Sequence, residues 1–180
     1  MKPLRTGVIF LVLLVGVAVV TVSGDSSIST GIGVNFFRYD TTYLTALSAT
    51  YHHELQGGLE LNIGGDFNIT TRKDADGEIK PKLLLPVNVG LNFTFPHDRV
   101  TFLFGTGLTP VFNINTDETG ADEFRFYMGP YLKGAMRVRV HPIMSWFVEY
   151  QQDLLIGGDQ WINSASRVMT GINFAIPAKN

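Results

Sequence analysis

The chain of 180 residues is 45% hydrophobic, 12% aromatic and 17% charged, with a formal net charge of −2. Its length fits one ordered domain, and its charged fraction lies below the roughly 25% usual for soluble proteins. The basic residues are not clustered, which excludes nucleic acid as a partner, and the absence of cysteine excludes a disulfide scaffold, a cysteine nucleophile and a thiolate metal site.

The N-terminal segment has the pattern of an export signal. Two basic residues in MKPLR precede an almost wholly apolar run over residues 7–22, and VSG at residues 22–24 puts short residues where a signal peptidase reads them. An uncleaved anchor is the alternative, but the run is shorter than the ~20 residues of a spanning helix. We therefore expect a signal peptide at residues 1–24 and one barrel domain at residues 25–180, with 12 basic and 16 acidic residues after cleavage.

After the signal, apolar and polar residues alternate over long stretches. GLELNIGGDFNIT, at residues 58–70, puts Leu59 and Leu61 on one parity and Glu60 and Asn62 on the other. Alternation with a period of two predicts a β-strand with one apolar and one polar face. Seven other stretches repeat the pattern. The eight predicted strands lie at residues 31–39, 44–55, 58–70, 82–95, 100–114, 124–140, 145–156 and 167–176.

The strand lengths and connections favour a barrel in a membrane. Most of the strands reach the ~9–11 residues that a tilted strand needs to cross a bilayer, whereas ordinary strands average ~5–6. Tight connections (QGG, PHDR and HPIM) alternate with longer or more polar ones (RYDTT, TRKDADGEIK, NTDETGADE and GGDQWINSAS). This alternation places turns and the N-terminus on one rim and loops on the other, as in antiparallel barrels with an even number of strands.

The composition of the two faces indicates which of them meets lipid. The apolar face carries almost no charge, whereas the polar face mixes charges with glycines, which suits a narrow lumen. A soluble barrel such as a lipocalin, the minor alternative, would place those glycines where they only weaken the strands. We therefore expect a lipid-facing apolar wall, although Gln152 on that parity does not fit. Its aromatic girdles comprise Phe93, Phe95, Phe102, Phe104, Trp146 and Phe174 near the turns and Phe67, Phe112, Phe124 and Phe126 near the loops.

The charges expected in the lumen are close to balanced. Eight strands enclose an interior only wide enough for side chains, and buried charges need partners. The register that sets Arg137 opposite Glu149 across a tight turn also sets Lys133 opposite Asp153. We therefore predict an internal network of ion pairs. Its expected members are Glu54, Glu60, Asp66, Arg125, Lys133, Arg137, Arg139, Glu149 and Asp153.

No catalytic, cofactor or metal site is predicted. Some eight-stranded outer-membrane barrels modify lipid A with serine, histidine and an acid, but all histidines of this chain are assigned to the turn rim, away from Ser164 and Ser166 on the loop rim. DADGE, at residues 74–78, lacks the distal glutamate of a calcium loop. We expect a non-enzymatic protein without a cofactor. The histidines expected to be interfacial polar residues are His52, His53, His97 and His141.

The export signal, the eight alternating strands and the separate turn and loop rims together resemble the small bacterial outer-membrane barrels of the OmpA transmembrane-domain, OmpX and OmpW kind. The resemblance covers residues 28–177. It implies an all-β, eight-stranded antiparallel up-and-down transmembrane barrel in the bacterial outer membrane. The implied partners are membrane lipid, lipopolysaccharide and the barrel-assembly machinery, and the implied state is monomeric. One departure is that Phe174 is not the last residue, whereas such barrels often end on an aromatic residue.

A closed lumen excludes a general porin. Two candidate functions remain. The first is a structural or surface-interaction protein whose loops meet a partner. The second is an OmpW-like conduit for small hydrophobic molecules, which would need an apolar pocket at the loop rim. The inward residues that could line such a pocket are scattered along the sequence, and they are Leu103, Val111, Phe147, Leu155 and Met169.

Overall fold

A computed structural model shows one closed antiparallel β-barrel whose eight strands follow each other in sequence order. β1 pairs with β2 on one side and with β8 on the other, so the sheet closes on itself. The predicted all-β fold is confirmed. The strands are β1 Ser26–Phe37, β2 Thr42–Glu54, β3 Leu59–Lys73, β4 Ile79–His97, β5 Val100–Thr116, β6 Asp122–His141, β7 Met144–Gly157 and β8 Gln160–Ile176.

The structure describes residues 25–38, 42–73, 79–116, 122–157 and 160–177. The predicted signal peptide at residues 1–24 and the DADGE segment lie outside them, so both stay predictions. No helix in these described ranges is long and apolar enough to cross a membrane.

Most strands are longer than the alternation predicted. β8 begins at Gln160, so much of the stretch predicted as the loop GGDQWINSAS is strand. β6 likewise begins at Asp122, two residues before its predicted start, and β1 begins at Ser26 rather than at residue 31. Both faces of these strand ends carry polar residues, so the period-2 signal fades while the backbone pairing continues.

One rim of the barrel, the turn rim, carries the tight connections. They lie at residues 55–58, 98–99 and 142–143. The first uses Gly57 and Gly58, both at φ 76°, and the second uses Asp98 at φ 53°, a region that glycine enters freely and aspartate enters more readily than most residues. The start of β1 and the end of β8 lie on the same rim. The opposite rim is called the loop rim.

The outer wall of the barrel is apolar. Large hydrophobic side chains are exposed on all eight strands, and the aromatic residues among them form two bands. Phe95 and Phe104 contact each other near the turn rim, with ring centroids 6.0 Å apart, and Phe112 and Phe126 do so near the loop rim, 5.4 Å apart. All residues of the two predicted girdles lie on this wall. An apolar surface that encircles the molecule is typical of a protein solvated by lipid.

In the described strands, the pairing is interrupted without a change of register at three places, each beside a proline. The interruptions fall at Pro86 between β3 and β4, at Pro110 between β4 and β5, and at Pro130 between β6 and β7. The pairs on either side keep the same register. Proline has no N–H to donate to the ladder, so these positions weaken the wall locally without shifting the strands.

We expect Leu132→Arg to destabilise the barrel, because Leu132 lies near the middle of β6 on the outer wall and is 70% exposed. Arginine facing the hydrocarbon midplane costs about 2–4 kcal/mol, and about 0–1 kcal/mol near the interface. Urea unfolding in phospholipid vesicles measures the loss. Ile143→Arg, in a turn and 53% exposed, is the matched control. Equal unfolding midpoints for the two variants would contradict a lipid-facing wall.

Candidate functional site

The lumen is filled by inward side chains and divides into two halves. Ion pairs occupy the half nearer the turn rim and the middle. The half nearer the loop rim holds two sets of buried side chains: the asparagines Asn35, Asn68, Asn113 and Asn163, and a cluster of apolar residues at the same height. This second set is called the apolar half. Its buried residues are Phe37, Leu44, Leu84, Val111, Tyr127, Leu155 and Ala165.

Glu60 of β3 is the centre of the hydrogen bonds near the turn rim. Arg137 of β6 donates to both of its oxygens, from Nη1 to Oε2 at 2.6 Å and from Nη2 to Oε1 at 2.9 Å. The Oε1 atom also lies 2.8 Å from Nδ1 of His52 and accepts from Asn92 at 2.7 Å. A bidentate, charge-assisted pair of this kind is among the stronger hydrogen-bonding arrangements in proteins. The pair links β3 to β6 across the lumen.

Arg167 of β8 is the corresponding centre at mid-height. Its guanidinium forms ion pairs with Asp66 of β3 and with Glu149 of β7, where Nη2 lies 3.0 Å from Oε1. Lys133 Nζ approaches the other oxygen of Glu149 at 3.8 Å. Sequence reasoning missed Arg167, although it shares the inward parity of Met169 on the same strand.

Asp153 lies in the same region but takes neutral partners. Its Oδ1 atom accepts from Thr109 at 2.9 Å and from Gln151 at 2.8 Å. Gln151 also donates to Asn88. Within the described ranges, Asp153 is therefore held by hydroxyl and amide groups and not by a cation.

The register predicted between β6 and β7 is wrong. Glu149 lies opposite Ala135 instead of Arg137, and Asp153 lies opposite Tyr131 instead of Lys133. The ladder shifts between Arg139 and His141, beside the tight turn. Arg137 and Arg167 each reach a carboxylate of β3 across the lumen, whereas Glu149 takes its partners from the two neighbouring strands.

Three predicted members of the network lie at the strand ends. Glu54 and Arg139 are exposed at the turn rim, where Arg139 Nη2 donates to the carbonyl oxygen of Asp98 at 3.0 Å. Arg125 is half-buried near the loop end of β6. A side chain on the inward face at the end of a strand lies at the mouth of the lumen and not inside it. Water can solvate its charge there. The network proper contains Glu60, Asp66, Lys133, Arg137, Glu149 and, unpredicted, His52 and Arg167.

The prediction that all histidines lie at the interface is wrong for His52. It is buried in the lumen, with Nε2 2.9 Å from Ser29 Oγ and Nδ1 2.8 Å from Glu60 Oε1. Serine, histidine and acid follow each other here as in a hydrolase triad. However, Asn173 also donates to the serine oxygen, and the adjoining cavity of about 10 Å³ has room for about one water. Ser29 is itself buried, and a cavity of this size does not admit an acyl chain, so the geometry shows a hydrogen-bonded chain inside the lumen.

The other histidines remain near the turn rim. His97 and His141 are exposed there, and His53 Nδ1 lies 3.0 Å from Ser26 Oγ. Across the ranges that the structure describes, no group of three or more potential ligands is arranged to hold a metal ion.

The inward apolar residues are not scattered in the fold. Val111 and Leu155 belong to the apolar half, whereas Phe147 and Met169 pack in a second, smaller cluster with Ala46. Leu103 lines the small cavity near His52. The strand register collects these residues into separate layers.

Gln152, which did not fit the outer wall, has its own partners there. Its Oε1 atom accepts from Tyr150 at 2.9 Å and from Ser166 at 2.6 Å, and its Nε2 atom donates to the carbonyl oxygen of Ala165 at 3.0 Å. The amide is thus satisfied within the wall, which lowers the cost of placing it toward lipid.

Comparison with solved structures identifies the fold. Neisserial surface protein A is 10% identical with a TM-score of 0.67, over 83% of this chain and 95% of that one. Ail of Yersinia pestis, in complex with a heparin analogue, is 13% identical with a TM-score of 0.63, over 86% and 100%. OprG of Pseudomonas aeruginosa, an outer membrane protein, is 9% identical with a TM-score of 0.61, over 86% and 97%.

At these identities the likeness is one of fold, and it confirms the predicted architecture, an eight-stranded antiparallel barrel of the kind found in small outer-membrane proteins. No family model matches the chain, and no curated protein sequence matches it.

We expect Glu60→Ala and Arg137→Ala each to lower the free energy of unfolding by about 3–5 kcal/mol, because each leaves a buried charge without its partner. The double variant should lose clearly less than the sum. Urea unfolding of the four proteins in one lipid measures the coupling. Arg137→Ala combined with Asp153→Ala is the control and should be additive to within about 0.5 kcal/mol. Additivity in the first pair would show that Glu60 and Arg137 are not partners.

Proposed function

We propose that this chain is a non-enzymatic, integral barrel of the bacterial outer membrane that acts at the cell surface through its loop rim, as a structural or interaction protein. The observation that carries the proposal is the filled lumen. Ion pairs occupy its middle and its turn-side half, and buried apolar side chains together with buried asparagines occupy the loop-side half. In the part of the chain that the structure describes, these side chains fill the lumen, and the two rims are therefore the surfaces proposed to act.

The apolar half is the stronger barrier to ions. Tyr127, Leu44 and Leu155 are all fully buried in it, and Phe37 packs edge-on against Tyr127 with ring centroids 5.4 Å apart. Apolar side chains oppose the passage of ions because water cannot hydrate them there, and the buried asparagines at the same height, Asn113 and Asn163, add bulk to this layer. Lys82 Nζ, 5.9 Å from the centre of the Phe37 ring, adds a positive charge beside it.

The charge of the loop rim bears on the kind of partner. Residues 38–41, 72–80, 115–123 and 157–160 contain nine acidic and four basic residues. An acidic rim favours a cationic partner surface or contact with the phosphates of lipopolysaccharide through divalent cations. Ail was solved with a heparin analogue, a polyanion; the loop charges of this chain do not favour such a ligand.

We include membrane lipid, lipopolysaccharide and the assembly machinery among the partners, and we expect a monomer. Neisserial surface protein A has a comparable fold, which supports a role at the surface for a barrel of this size.

The purified barrel should give no stepwise conductance in a planar bilayer, because both layers of the lumen must part before an ion can cross. Single-channel recording at 1 M salt, scaled against an open porin, is the measurement. Stable, voltage-independent open steps would contradict the closed lumen.

A tag inserted at Thr119 should be reached by antibody on intact cells, because that position lies between β5 and β6 on the loop rim. A tag after Asn180, beyond the turn-rim end of β8, should be reached only in permeabilised cells. The reverse pattern would invert the topology and refute a role for the loop rim at the surface.

A second candidate is the lateral conduit for small hydrophobic molecules, and one observation favours it. The interruption of the wall at Pro130 lies opposite Leu154 and Leu155, and Leu155 belongs to the apolar half. A molecule that displaced this cluster would meet the weakest part of the β6–β7 pairing. Transfer of a hydrophobic dye into vesicles that hold the barrel tests it: Leu155→Asp should abolish transfer, and a rate equal to that of empty vesicles for the unmodified barrel would refute it.

A further inference from the structure

One ion pair in the middle of the lumen is too long for a direct hydrogen bond. Lys133 Nζ lies 3.8 Å from Glu149 Oε2, whereas N–H···O hydrogen bonds in proteins span about 2.7–3.2 Å. Both side chains line the cavity of about 10 Å³, together with His52, Asn92 and Arg137. A cavity of this size holds one water molecule when several polar groups face it. A polar contact longer than about 3.5 Å is one that a water molecule can bridge.

The same cavity lies between two groups of bonded side chains. On its turn side, His52 and Arg137 are bonded to Glu60. On its loop side, Glu149 is bonded to Arg167. Among the described residues, no direct side-chain hydrogen bond joins the two groups. A water molecule in the cavity would touch members of both.

A second place of the same kind lies beside Arg167. Its Nη1 and Nη2 atoms pair with Asp66 and Glu149, whereas its buried Nε–H has no acceptor in the part of the chain that the structure describes. Asn35, which lies opposite Arg167 in the register of β1 and β8, has a buried Oδ1 atom that likewise has no donor there. Opposite residues of antiparallel strands have Cα atoms about 4.5–5.5 Å apart. An unused donor and an unused acceptor therefore belong to neighbouring side chains.

Water is the ligand whose chemistry fits both places. Buried polar groups are bonded either to protein atoms or to ordered water, and a buried group without a partner costs free energy. One water molecule can accept from the Arg167 Nε–H and donate to Asn35 Oδ1, and another can accept from Lys133 and donate to Glu149. The inward residues on either side of Asn35 in the neighbouring strands include Ala46 and Ala165, whose side chains are small.

From these contacts we infer that the lumen binds two single water molecules, one between Lys133 and Glu149 and one between Arg167 and Asn35. Together with the ion pair between Glu149 and Arg167, the two molecules join the turn-side network to the loop-side half as one polar column along the barrel axis. The inference concerns the interior of the barrel, so it goes beyond the proposed role of the rims. Each water is held singly among side chains, and the lumen stays closed to ions.

The test is water-edited solid-state NMR of the nitrogen-15-labelled barrel in lipid bilayers, which measures the transfer of magnetisation from water to side-chain N–H groups. Lys133 Nζ and Arg167 Nε should both receive magnetisation. The side-chain amide of Asn62 is the internal control, because it is also buried but is bonded directly to Asn92 and Tyr131. It should receive none.

Three variants assign the signals to the two places. Asn35→Leu removes the acceptor at similar volume, so transfer to Arg167 Nε should be lost and the urea midpoint of unfolding should fall. Ala135→Val fills the cavity that Ala135 lines, so transfer to Lys133 Nζ should be lost and transfer to Arg167 Nε kept. Asn62→Leu is the matched control. It should lower the urea midpoint, because it removes direct hydrogen bonds, and leave transfer to Arg167 Nε unchanged.

Three results would overturn the inference. The first is the absence of transfer to Lys133 Nζ or to Arg167 Nε in the unmodified barrel, a measurement that needs no variant to fold. The second is a higher urea midpoint for Asn35→Leu, because an apolar group that replaces an acceptor without a partner stabilises a protein. The third is an equal loss of transfer to Arg167 Nε in Asn62→Leu. Open conductance steps in a planar bilayer would instead refute the proposed function, whatever these signals show.

Discussion

The narrowness of an eight-stranded barrel is the constraint on which the rest of this structure depends. The interior admits side chains and little else, so every inward charge must find a partner inside the protein. Glu60 meets Arg137, and Asp66 meets Arg167, across the lumen instead of along one pair of strands. The same narrowness lets a short set of apolar side chains close the loop-side half. The interior therefore holds the wall together and leaves interaction with other molecules to the rims.

The outer wall is also shaped by what surrounds it, which is lipid and not water. Lipid takes the place of water around the barrel, so exposed leucine and phenylalanine are stabilising and a polar group is costly. Gln152 shows how such a cost is met, because Tyr150 and Ser166 complete its hydrogen bonds within the wall. Near the turn rim the wall carries the aromatic band to which Phe95 and Phe104 belong. Position along the barrel axis thus decides which side chains the wall can carry.

Much of the fold could be predicted because period-2 alternation is a local property of the sequence. It found eight strands and assigned both faces correctly for residues such as Leu132 and Glu60. It failed near Gln160 and Asp122, where polar residues occur on both faces and obscure the period. The partners of the charges depend on register and on the facing wall, which no local pattern encodes. That is why Arg137 was assigned to Glu149 instead of Glu60, and why Arg167 and the buried position of His52 were missed.

The ion pair between Arg167 and Asp66 also bears on how the chain folds. Arg167 lies on the last strand and Asp66 on the third, and β8 must also reach β1 before the sheet is complete. Until that final pairing forms, Asp66 and Glu149 lack this cation and the sheet has two open edges. Contacts between residues so distant in sequence slow folding, because the chain loses the entropy of closing a long loop before the contact forms. Closure of the sheet by β8 therefore also supplies Asp66 with its guanidinium partner, so a variant that weakens this ion pair also weakens the closure of the barrel.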